Sequence, residues 1–163
     1  MGEIGKLSAC LEMLGGFTLG TLVDRKLLQK KVYFLQEFGV DLGYSFGFYI
    51  YGPYSSELTN DAFFLYRQRT RAPDTIDSED LSAEEEKSVQ RAMEFFVKIK
   101  GSETEIARQL EFLSSLHFLR KVSNPEDRSR ENIIQKLAEK KIIPKNVNLK
   151  EAWEFLVSYE LMN

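Results

Sequence analysis

The residues that could do chemistry in this chain are few and scattered. His117 is the one histidine and Cys10 the one cysteine. Ser114 and Ser115 stand just before His117, so a nucleophile with its base can be sketched. The spacing, however, is that of ordinary helix neighbours, and no loop suited to an oxyanion hole accompanies it. One histidine cannot build a two-histidine metal site or a histidine relay within a chain. One cysteine allows neither an internal disulfide nor a multi-cysteine zinc site. Cys10 itself reads as a small buried hydrophobe, as free cysteines usually are. Glu84-Glu85-Glu86 could gather a cation, but carboxylates in a helix's first turn are already favoured by its dipole, so a solvated face is expected. Gly-rich phosphate loops, nucleophile elbows, zincin helices, EF-hand loops and deaminase zinc patterns are all missing from the sequence. The expectation is a non-enzymatic chain with no cofactor and no metal.

What remains is binding. Arg25, Lys26, Gln29 and Lys30 share one helix face, and Tyr49, Tyr51 and Tyr54 cluster around Gly52-Pro53. Tyrosine combines apolar area with a polar tip and is favoured in protein interfaces, and a Gly-Pro turn presents its neighbours rigidly. Gln29, Lys30, Tyr51, Tyr54 and Ser55 are therefore the expected partner-binding residues. The competing reading has the rings capping the core and the basic residues forming plain solvated helix surface. For nucleic acid the corresponding set is Arg67, Arg69 and Arg71, although positive charge there also suits a helix C-terminus.

The elements that must position these residues follow from periodicity and capping. Ile4, Leu7, Leu11 and Leu14 recur at helical spacing until Gly15-Gly16. Residues 17–23 read as an extended apolar connector. Asp24 is the expected N-cap of a helix over 24–38 with Leu28, Val32 and Leu35 inward and Gly39 as its left-handed cap. At Tyr44 the period changes to two, predicting a strand over 44–51. Gly47 leaves one side of it open to close approach by a ring or another backbone. A lone strand leaves backbone groups unpaired, so a partner is needed, and residues 70–76 are the best candidate. Gly52-Pro53 should break the strand, after which Ser55 caps a helix over 56–69.

Residues 72–81 form an acidic connector. Beyond it, Ser82 with Glu85 and Ser102 with Glu105 have capping-box spacing. Asn124-Pro125 should open a further helix with Ile133, Ile134, Leu137 and Lys141 along its stripe, and Asn148 with Glu151 the last one. The predicted fold is mainly α, with six to seven helices and a small two-stranded β element, winged-helix-like in its N-terminal half. It is read as one domain, 1–163, made of a helix-strand-helix part (1–71) and a helical part (82–163).

Composition agrees. The chain has 163 residues, 43% hydrophobic and 29% charged, with 12 Phe and 7 Tyr to fill a core. Its net charge of −3 lowers the expectation of non-specific nucleic-acid binding. No apolar run approaches the ~20 residues that span a bilayer. The N-terminus has acidic residues within its apolar pattern, unlike a signal peptide, and Lys6 where a myristoylation signal wants Ser or Thr. A cytoplasmic protein that meets another protein, with homo-oligomerisation open and no membrane, is expected.

The segment Arg25-Lys26-Leu27-Leu28-Gln29-Lys30-Lys31-Val32-Tyr33, followed by Phe48-Tyr49-Ile50-Tyr51-Gly52-Pro53-Tyr54-Ser55-Ser56-Glu57-Leu58, resembles the YwgA-like family of uncharacterised prokaryotic proteins. It is also similar to the related Panacea (SocA-like) antitoxin-associated domain, and residues 110–119 resemble a second helical segment of these proteins. The likeness is specific over about the first 60 residues. It implies a mostly helical prokaryotic domain with a small β element. The Panacea branch implies neutralising a toxin or adapting a partner for proteolysis; the YwgA-like branch implies no known activity, and the turn here is closer to that branch. The rival expectation, from another class, is a DNA-binding regulator with a winged-helix-like N-terminal half.

Overall fold

The computed structural model describes residues 2–71 and 80–163. Within them the chain forms α1 (Ile4–Met13), α2 (Leu22–Glu37), β1 (Gly47–Tyr49), β2 (Gly52–Tyr54), α3 (Ser56–Arg71), α4 (Ala83–Val97), α5 (Glu103–Val122), α6 (Arg130–Lys140) and α7 (Leu149–Ser158). The protein is mainly helical with one two-stranded antiparallel sheet. None of the described helices is long and apolar enough to cross a membrane.

α5 is the central element. Every residue from Leu110 to His117 is buried, so this helix has no solvated face over two turns, as expected of a helix surrounded by others. α2 packs along it, with α6 and α7 also on its sides. The aromatic core gathers on Phe95 of α4. Its ring lies 4.8 Å from Phe34 and 5.5 Å from Phe38, and stacks on Phe155 at 4.9 Å. These contacts tie α2, α4 and α7 together, and one continuous apolar cluster runs from Leu7 to Met162. Residues before and after the acidic connector thus share a core. Residues 72–79 of that connector lie outside the described ones.

Several predicted boundaries move. α2 is capped by Thr21, not Asp24. The Thr21 hydroxyl accepts from the Asp24 N–H at 3.1 Å while the Asp24 carboxylate accepts from the Thr21 N–H at 3.2 Å, a reciprocal box that adds a helical turn's start. Pro125 opens only a 3-10 turn, Pro125–Asp127, and Ser129 caps α6 instead. The boxes at Ser82 and Ser102 and the cap at Asn148 are as expected.

The largest difference is in the β element. Residues 44–46 are not strand; β1 is three residues long and pairs with the residues expected to break it, Gly47 facing Tyr54, Phe48 facing Pro53 and Tyr49 facing Gly52. The expected pairing with 70–76 does not form at Thr70, which lies in α3, and the remainder of that stretch falls outside the described residues apart from Arg71. Ile50 and Tyr51 turn the chain with negative φ, and Gly52 takes the positive φ of 87° that lets the second strand return.

Candidate functional site

The site is the hairpin β1–β2 and the groove beside it. Three-residue strands cannot hold themselves together in water, so the neighbours must do it. On α2, Gln29 grips the hairpin's exit: its Nε2 donates to the Ser55 carbonyl and its Oε1 accepts from the Ser55 N–H, both at 2.9 Å. Nε2 also donates to the Thr59 hydroxyl at 2.8 Å, and that hydroxyl donates to Tyr54 Oη at 2.8 Å. Two helical turns further along, Gln36 does the same at the approach, donating to the Tyr44 carbonyl at 3.0 Å and accepting from its N–H at 2.8 Å. Between them Lys30 donates to the Pro53 carbonyl at 2.6 Å.

The placement of Gln29 and Lys30 corrects the sequence expectation. Both are buried, as is Ser55, whose hydroxyl accepts from the Leu58 N–H at 3.3 Å as the expected cap of α3. The hairpin folds over this side of α2, so what reads as a solvated polar face is the underside of the turn. Burial pushes the Lys30 ammonium down to about 7, opposed by Glu111 and assisted by Lys141 and Lys26.

From behind, α5 meets the hairpin. A Cβ on Gly52 would stand 2.5 Å from Ser115 Oγ and 3.4 Å from the Glu111 carbonyl, so this glycine is required by both its φ and its close approach. Glu111 gathers two lysines at the tip. Its carboxylate lies 2.8 Å from Lys141 Nζ and 3.8 Å from Lys26 Nζ. Lys141 also donates to the Ile50 carbonyl, and the Lys26 ammonium sits 3.7 Å over the Tyr51 ring.

Held on three sides, the tip carries its apolar residues outward. Ile50 is 80% exposed, Tyr49 61% and Tyr51 41%. Tyr54 is half-buried, with its ring edge-on to Tyr49 at 5.4 Å. The Tyr49 ring also covers Gly47, the close approach anticipated there. Between the tip, α2 and α3 runs a groove of about 470 Å³ lined by Leu22, Leu28, Ala62 and Phe63, with Arg25, Lys26 and Lys30 among its polar groups. A second hollow on the other side of the tip shares Ile50 and Tyr51 and adds Ile142, which is 94% exposed.

Of the five residues expected to bind a partner, Tyr51 is presented, Tyr54 is partly so, and Gln29, Lys30 and Ser55 support them from beneath. Ile50, Glu111 and Lys141 were missed. Two had a signal: an isoleucine just before the Gly-Pro break, and a lysine at a stripe position of the helix expected after Asn124-Pro125, which the structure places at the C-cap of α6. Arg67 and Arg71 are exposed near the C-terminal end of α3, while Arg69 is taken up by Glu12 at 3.3 Å and by the Phe17 ring at 5.3 Å. The hairpin rests on α2 and α5 instead of projecting as a free wing.

Elsewhere the sketched nucleophile does not assemble. Ser114 donates to the Glu111 carbonyl of its own helix, and His117 Nδ1 faces the Tyr33 hydroxyl at 2.6 Å. The His117 ring is pushed down by burial, against Glu37, whose Oε2 lies 3.8 Å from Nε2. Among the described residues no group of three or more His, Cys, Asp or Glu could hold a metal ion. Comparison with protein-family models, with curated proteins and with solved structures finds no match to this chain.

Proposed function

We propose that the protein is a non-enzymatic interaction domain that acts in the cytoplasm by offering the hairpin tip and its flanking groove to another protein. The observation that carries this reading is the pairing of an apolar tip, Tyr49-Ile50-Tyr51, with a base fixed by Gln29, Lys30, Glu111 and Lys141. Single exposed apolar residues are ordinary on a protein surface; three in succession on a braced turn, continuous with Leu22 and Ile142, form a patch of the kind that marks contact sites. Ordering the tip before binding lowers the entropy lost on association. Under the resemblance to the Panacea branch, the partner would be a toxin to neutralise or a protein to hand to a protease; the YwgA-like branch implies no known activity. The DNA-binding alternative draws no support from Arg69, whose charge is already engaged by Glu12.

A photoreactive phenylalanine analogue at position 50, irradiated in cells, should give a discrete cross-linked partner that Tyr51→Asp abolishes. The same analogue at position 87, on the exposed side of α4, should give none. Equal adducts from both positions would refute the assigned surface.

A further inference from the structure

The groove beside the tip carries a charge imbalance. Its lining contributes Arg25, Lys26 and Lys30 and neither Asp nor Glu, in a chain whose net charge is −3. These cations are incompletely satisfied from within. Lys30 spends a donor on the Pro53 carbonyl, and Glu111, the carboxylate that bears on it, is held by Lys141 at 2.8 Å. Lys26 reaches Glu111 only at 3.8 Å, and Arg25 donates one Nη to the Leu19 carbonyl at 2.9 Å. The walls beside these cations are apolar, from Leu22, Leu28, Ala62 and Phe63. The volume, about 470 Å³, lies within the ~300–1,000 Å³ of ordinary ligand pockets.

We infer that the groove takes a short acidic-apolar peptide segment of a partner protein, its large apolar side chains against Leu22 and Phe63 and its carboxylate at Arg25 and Lys26. Charge complementarity selects the acid, because an anion there meets the positive charge of Arg25 and Lys26 beside apolar walls. Continuity selects a polypeptide. The groove opens onto exposed Ile50 and Tyr51, so an occupant that fills it and covers the tip must run along both, as a chain does. The inference rests on the interaction reading above and fails separately from it.

The test is selection of phage-displayed random heptapeptides on the intact protein. Enriched peptides should combine Asp or Glu with Leu, Ile, Phe or Trp. A synthetic version of the best one should lose about tenfold or more in affinity to Arg25→Glu/Lys26→Glu, a loss of the size expected when attractive rim charges become repulsive. Because Lys26 also braces the tip, Leu22→Glu provides a second variant. It adds a carboxylate to the groove at a first-turn position where the α2 dipole favours one, and should also abolish binding. Enrichment of basic or uncharged peptides, binding indifferent to both variants, or no enrichment at all, with or without binding of dodecanoate, would each overturn the inference. In those cases the cross-link at position 50 still decides the interaction reading on its own.

Discussion

Gly52→Ala should be among the most damaging small substitutions in the hairpin. An L-residue at φ 87° carries strain of roughly 1–2 kcal/mol. Its new methyl would stand 2.5 Å from Ser115 Oγ, inside any real contact distance, and α5 cannot retreat because Leu110 to His117 are buried throughout. Overpacking of this kind adds about 1–3 kcal/mol. The sum, about 2–5 kcal/mol, is a large part of the ~5–15 kcal/mol that stabilises a typical domain. At ~2–4 °C per kcal/mol for a chain of this size, Tm should drop by roughly 4–20 °C. The two contributions separate in a double-mutant cycle. Ser115→Ala removes a buried hydroxyl that has no hydrogen-bond partner among the described residues and should be near neutral or slightly stabilising. In its presence Gly52→Ala should cost only the backbone strain, giving a coupling of about 1–3 kcal/mol. Urea unfolding followed by far-UV circular dichroism measures all four corners. A cost below ~1 kcal/mol for Gly52→Ala, or the same cost with and without Ser115→Ala, would refute the argument.

Four further outcomes follow from buried titratable groups. Lys30 holds its proton only up to about pH 7 in the folded chain against an ordinary 10.5, so between those values the unfolded state binds the extra proton and stability rises with pH at up to ~1.4 kcal/mol per unit. Urea unfolding of Lys30→Met between pH 7 and 9.5 should lack this slope, and curves parallel to the parent's would contradict it. Tyr33→Phe should cost about 1–3 kcal/mol, because it strands the buried His117 Nδ1. His117 itself, held below its usual 6.5, makes stability fall as pH drops through that value, so the parent's chemical-denaturation midpoint should decrease from pH 7 to 5 more than that of His117→Gln. Burial pushes the Cys10 thiol up to about 11, so Ellman's reagent at pH 8 should label the protein only as fast as it unfolds; immediate labelling would show that Cys10 is accessible.

Local signals made the helices legible. Ser82 with Glu85 and Ser102 with Glu105 mark starts because the reciprocal hydrogen bonds close within four residues, and Gly39 marks an end because its φ of 118° disfavours other residues. The hairpin was not legible, because its stabilisation is not local. Its strands are too short to establish a period of two, and its backbone groups are satisfied by Gln29 and Lys30, more than twenty residues away in sequence. For the same reason a polar helix face reads as solvated when it is covered. Polarity reports that a group needs a partner, but not whether water or a carbonyl will supply it. Lys141 shows the converse: expected on a helix's apolar stripe, it stands at the C-cap of α6 and serves the Ile50 carbonyl and Glu111.

The two glutamine grips have one more consequence. Gln29 and Gln36 stand seven residues apart on α2, two turns or about 10.5 Å of axial rise. They fasten Tyr44 and Ser55 by the same reciprocal amide pair. The helix therefore acts as a gauge that sets where the chain departs and where it returns, whatever lies between. Residues 45–54 form a cassette on a fixed frame. The two positions at its turn, Ile50 and Tyr51, are those where length and character can change with least disturbance to the fold. A lineage that needed a new partner would rewrite that turn and keep both glutamines.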